Sequence, residues 1–174
     1  MARTNQMLRD DQSGLILPGS WVTSQTTGSP EGYKTVLTLN GAFPAIAGGA
    51  ALGVGKLIMT LPAGARFVTG SAYSIALKQT EGNVTADTPE VGLGTTISSG
   101  ANATLGAVGA AAENISEGSA TADCNGTAEL VEKTTNLAIA AAGDHTIYLN
   151  VADTWASSGD AALGFSGTAT IWWR

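Results

Sequence analysis

The stretch "ALGFSGTATIWWR", residues 162–174, decides the fold. Phe165, Gly167, Ala169, Ile171 and Trp173 alternate with Ser166, Thr168, Thr170 and Trp172. A period of two puts successive side chains on opposite faces of an extended chain, which marks a half-buried β-strand. On that strand one of the two adjacent tryptophans faces a core and the other faces away. Upstream, "HTIYLNV" (145–151) repeats the pattern. His145, Ile147, Leu149 and Val151 share one face, and Thr146, Tyr148 and Asn150 share the other.

Working outward, the same period recurs. Thr35, Leu37 and Leu39 alternate with Val36, Thr38 and Asn40. In "GKLIMTLP" (55–62), Leu57, Met59 and Leu61 share a face, fed by a small-residue loop. "LPAG" (61–64) reads as a turn, because Pro presets φ and Gly tolerates a positive one. "RFVTGSAYSIALKQ" (66–79) is a longer strand with Phe67 and Tyr73 as its heavy residues, and Gly70 marks a bulge or bend. "ATLGAVGAAAENISE" (103–117) is the only helical candidate, weakened by its glycines. Short alternating strands separated by turn residues imply an all-β fold, an antiparallel sandwich or barrel with long loops and an extended N-terminal arm.

At 174 residues the chain is long enough for one domain with a substantial core. The arm spans residues 1–32, with apolar anchors at Leu15, Ile16, Leu17 and Trp21, and the sandwich spans 33–174. Between Lys78 and Lys133 there is no basic residue, while eight acids fall in 79–132. That acidic segment also lacks aromatics. All ten aromatics lie in the first 73 and last 27 residues, so the core is expected where the two ends of the chain meet. The acidic middle is read as ordered but loop-heavy.

Charged residues are only 13% of the chain, about half the usual share, and the net charge is −6. Phosphate binding needs clustered Lys and Arg, so nucleic acid is excluded as the main ligand. A single cysteine, Cys124, precludes an intrachain disulfide. Residues 41–65 have the length of a membrane span, but Lys56, Pro44, Pro62 and repeated glycines argue against one.

Chemistry is sparse. The only histidine follows an aspartate, at Asp144–His145. Adjacent residues on a strand point to opposite faces, which is poor geometry for a hydrogen-bonded dyad. A turn at Gly143–Asp144 that opens a strand at His145 is the better reading. One His and one Cys cannot build an ordinary zinc site. "ADCNGT" (122–127) reads as an Asn-Gly turn rather than a calcium loop. No catalytic residue, metal or cofactor is expected, and the chain is not read as an enzyme. Trp155, Trp172 and Arg174 are candidate docking residues, because Trp and Arg dominate interface hot spots.

"LPAGARFVTGSAYSIAL" (61–77), "TADTPEVGLGTTISSGANATLG" (85–106) and "AAGDHTIYLNVADTWASSGDAALGFSGTATIWW" (140–173) resemble a group of tailed-bacteriophage virion proteins, the capsid decoration or cement proteins. The likeness rests on turn glycines and strand alternation and transfers no functional residue. It implies an antiparallel β-sandwich of jelly-roll-like kind, a structural protein on the capsid exterior that binds the major capsid protein and bridges its subunits, commonly as a homotrimer. The candidate contacts, with the shell or between copies, are Leu15, Ile16, Leu17, Trp21, Trp155, Trp172 and Arg174. The alternative is a head-fibre or tail component whose Trp155 or Trp172 stacks on host glycans.

Overall fold

A computed structural model describes residues 8–9, 15–46, 50–65, 67–81, 84, 87–120, 124–138, 145–155 and 162–174. Its strands in chain order are β1 (Leu8–Arg9), β2 (Ile16–Leu17), β3 (Val22–Ser29), β4 (Gly32–Ala42), β5 (Ala51–Leu61) and β6 (Phe67–Glu81). They continue with β7 (Glu90–Gly94), β8 (Ser99–Gly100), β9 (Ser116–Ala120), β10 (Asn125–Ala138), β11 (His145–Thr154) and β12 (Ala162–Trp173). One helical turn, α1 (Leu105–Val108), and one 3-10 turn, Ala110–Ala112, lie between β8 and β9.

Among the described residues the strands form two antiparallel sheets. The front sheet runs β10-β6-β12-β4-β3, and the back sheet runs β1-β2-β5-β11-β7-β9 with β8 beside β5. The pairings are nested. β4 pairs with β12, β5 with β11, β6 with β10, and β7 with β9. Those eight strands behave as one long hairpin folded across two layers, which is the winding of a jelly roll. The sandwich expected from the alternation is therefore present.

Alternation holds where the sequence displays it. On β12, Leu163, Phe165, Ala169, Ile171 and Trp173 are buried, and Trp172 points outward. β5 departs from it. Ile147 pairs with Met59 but Tyr148 pairs with Leu57, so Ile58 is an extra residue on that strand. The bulge turns Ile58 inward beside Met59 and leaves Leu57 half-buried. A second irregularity faces Trp172–Trp173, whose partners Gly70 and Val68 bracket Thr69. It lies next to the glycine read as a bulge or bend.

The core is one cluster fed by both sheets. Leu37, Leu39, Tyr73, Ile75 and Ile171 from the front meet Ile58, Met59, Val91, Leu93, Ile147 and Leu149 from the back. The acidic middle thus supplies core residues as well as loops. Among the described residues, hydrogen bonds from Tyr73 and Ser71 cross between the layers. Tyr73 Oη donates to the Val91 carbonyl at 2.7 Å, and Ser71 Oγ donates to the Ile115 carbonyl at 3.2 Å. Both hydroxyls are buried and need such partners.

Residues 15–32 are built into this body. Leu15, Leu17 and Val22 are buried in the cluster, Ile16 pairs with Thr60, and β3 runs beside β4 over its whole length. The boundary expected after residue 32 falls within the β3–β4 hairpin. The inward positions of β3 are Val22, Ser24, Thr26 and Gly28, so three of the four lack an apolar side chain and the strand shows no hydrophobic period. Residues 1–7 and 10–14 lie outside the described residues.

Candidate interaction surface

The two outer faces of the sandwich differ. The back one is covered by the chain itself. Gly53, Gly55, Gly92 and Gly94 lie on β5 and β7, and the segment 95–116 rests on them. A Cβ on Gly55 would meet Asn150 and Ile97, one on Gly92 would meet Leu105, and one on Gly94 would meet the backbone of Ala112. The glycines form a floor on which backbone can lie directly.

Asn150 stands in the middle of that floor, between Gly55 and Gly92 in register. Its Oδ1 accepts from Ser98 N–H at 2.8 Å. Its Nδ2 donates to the carbonyls of Thr96 and Ala112 at 2.9 and 2.7 Å. The side chain is fully buried and clamps both ends of the covering segment. Glu90 accepts from Leu105 N–H at 2.8 Å, and Glu113 from Gly118 N–H at 2.7 Å. Two acids of the middle segment therefore serve as backbone acceptors.

The front face is open. Register places three rows of side chains across it. One row is Thr23, Thr38, Thr168 and Ser74; the next is Gln25, Val36, Thr170 and Ala72; the third is Thr27, Lys34, Trp172 and Gly70. Lys34 is the only charged residue among these twelve; on β10 the second row continues by register with Glu132, and Lys78 is exposed further along β6. Desolvating hydroxyl, methyl and amide groups costs far less than desolvating charges, so such a face suits a flat macromolecular contact.

The candidate docking residues divide into two sets. Leu15, Leu17 and Trp155 are consumed by the chain's own core; Trp155 is fully buried, and its Nε1–H donates to the Leu52 carbonyl at 2.8 Å. Trp155 therefore offers no surface for stacking on a sugar. Ile16, Trp21 and Trp172 are half-buried, and Arg174 is exposed. Trp21 packs edge-on against Phe165 with centroids 5.6 Å apart, and Lys56 Nζ lies 5.5 Å from its ring. Arg174 exchanges backbone hydrogen bonds with Phe67 at 2.9 and 3.0 Å. Trp172 therefore belongs to the open face, and the structure does not gather the other candidates around it.

A groove of about 560 Å³ lies beside Trp172, with Tyr33, Lys34, Glu31 and Thr69 among its walls. Its aromatic rings are already engaged. Tyr33 stacks on Trp173 with centroids 4.5 Å apart, and Lys34 Nζ sits 5.7 Å from the Trp172 ring centroid. That arrangement gives the glycan alternative no specific support.

His145 is half-buried at the first position of β11, opposite Leu61, and Asp144 lies outside the described residues. Among the described residues no three His, Cys, Asp or Glu side chains gather as a metal site. Burial raises the Asp153 carboxyl above the ordinary carboxylate range; the Thr154 N–H it accepts from at 2.7 Å opposes this, and the nearby Asp87 charge adds to it. No helix of the described residues is long and apolar enough to cross a membrane.

The sequence reading missed the open threonine face and the glycine floor. The face had a signal in the Thr and Ser of alternate positions on β4 and β12. The floor had none, because a glycine under a docked loop and a glycine in a loop look alike in sequence. Comparison with family models, curated proteins and solved structures finds no match for the chain.

Proposed function

We propose that this chain is a structural virion protein that decorates the exterior of a phage capsid and stabilises it by bridging neighbouring major capsid subunits. The observation that carries the reading is the front face: a broad, open sheet surface rich in threonine, on a fold whose other face is already covered. A repeated shell offers such a face many identical docking sites. Each bound copy stabilises the assembled state over the dissociated one by mass action, so modest contacts suffice. The resemblance noted in the sequence supports the same role.

The test is addition of the purified protein to shells of the corresponding phage assembled without it. Saturable co-sedimentation and a higher temperature of shell disruption are expected. Shells that bind none of it at saturating protein would sink the reading.

A further inference from the structure

We infer that β3 is a docking edge for a second copy of this chain, which adds antiparallel across a two-fold axis at Gln25. The inference concerns self-association alone and does not depend on the shell reading.

The open side of β3 follows from its ladder. Asn40 N–H donates to the Trp21 carbonyl at 2.9 Å, and the register pairs 22 with 39, so odd-numbered residues bond to β4. Antiparallel geometry turns the N–H and C=O of the even-numbered residues the other way. Val22 N–H is taken by the Gly19 carbonyl at 3.4 Å. The outward groups of Ser24, Thr26 and Gly28 face the free side, since among the described residues β3 ends the front sheet.

Edge strands are normally blunted by charges, proline, bulges or brevity. β3 has none of these over its eight residues, "VTSQTTGS", and its register is unbroken. The other edges differ. β10 has two register shifts and carries Glu129, Glu132 and Lys133 in its sequence; β9 has a shift and Glu117; β1 has two residues.

A second copy is the occupant that this edge fits. A strand paired antiparallel with itself meets its own hydrogen-bonding pattern, as an isologous two-fold contact requires. Centring the axis on Gln25 pairs Ser24 with Thr26 and Val22 with Gly28 of the other copy. That register brings the outward groups of both strands together, and Pro30 lies just beyond it. Gln25 then faces Gln25 on the exposed side, and no charge is buried.

The test uses the full chain and light scattering after size exclusion. The expected mass is twice 17.4 kDa. Gln25→Lys and Gln25→Glu each place like charges opposite one another, and each alone is expected to weaken the dimer by up to about fivefold, shifting the mass toward monomer near the dissociation midpoint. An equimolar mixture of the two variants is expected to recover the dimer mass. A monomeric wild type, variants that keep the wild-type mass, or a mixture that stays monomeric overturns the inference. A wild-type trimer that survives both substitutions does so as well.

Discussion

Asn150 accepts one hydrogen bond and donates two at a site without water-facing surface. Truncation strands Ser98 N–H and the Thr96 and Ala112 carbonyls, and each buried orphan costs on the order of 1–3 kcal/mol. Because the covering segment can relax toward solvent, Asn150→Ala should lose about 3 kcal/mol in urea unfolding. Asp153 behaves in the opposite sense. A carboxyl whose folded pKa is raised stabilises most when protonated, below its unfolded pKa, and that contribution is lost as pH rises through the folded value. Asp153→Asn keeps the acceptor for Thr154 N–H and removes the charge beside Asp87. It should raise the melting temperature at neutral pH, stabilising the fold by less than about 1 kcal/mol, since solvent screens the group. The gain should vanish in acid, where the native Asp is itself protonated. Neither role shows in the sequence: an Asn on a strand's polar positions reads as an exposed residue until something is seen to cover it.

At the scale of elements, the covering segment and the strands beneath it are separable. Gly94 has no room for a Cβ because Ala112 backbone occupies that space. Gly94→Ala should lift the turn at 110–112 while the sandwich persists. Limited proteolysis should cut within 95–116, with far-ultraviolet dichroism retaining its β signature. Equal resistance of variant and wild type would contradict the floor. Gly167 makes a different case, on β12 at φ +139° with the Ser74 carbonyl where a Cβ would sit. β11 and β12 were legible because one face is apolar and the other polar along nearly their whole length. β3 was not, since an edge strand over a narrow rim of the core needs no large inward side chains. Thr26 Oγ1 lies 3.1 Å from Thr35 Oγ1, which accepts from Trp173 Nε1–H at 2.9 Å. At that rim a chain of hydrogen bonds stands in for apolar packing. The bulge at Ile58 hid the phase of β5 for a related reason, since one extra residue reverses every face after it.

For the whole molecule, the nested winding makes contacts that are distant along the chain. β4 meets β12 and β5 meets β11, so loop closure must precede most of the stabilising pairing. Refolding from denaturant should be slow for a chain of this size, on the order of milliseconds to seconds or longer. Stopped-flow tryptophan fluorescence would measure it, since Trp155 and Trp173 become buried. Microsecond refolding would contradict the topology. The sandwich class was legible because it depends on the period of the strands. The order of strands was not, because pairing joins residues more than a hundred positions apart and leaves no local mark.

That winding has a consequence during synthesis. β12 lies between β6 and β4. A ribosome that has made everything up to Ala162 has every strand of the back sheet but a front layer in two pieces, β10-β6 and β4-β3, with a central gap. The two halves of the front layer can join only once β12 has emerged from the exit tunnel. The chain's low content of bulky hydrophobes in the long middle stretch suits that wait, because little is exposed that could aggregate.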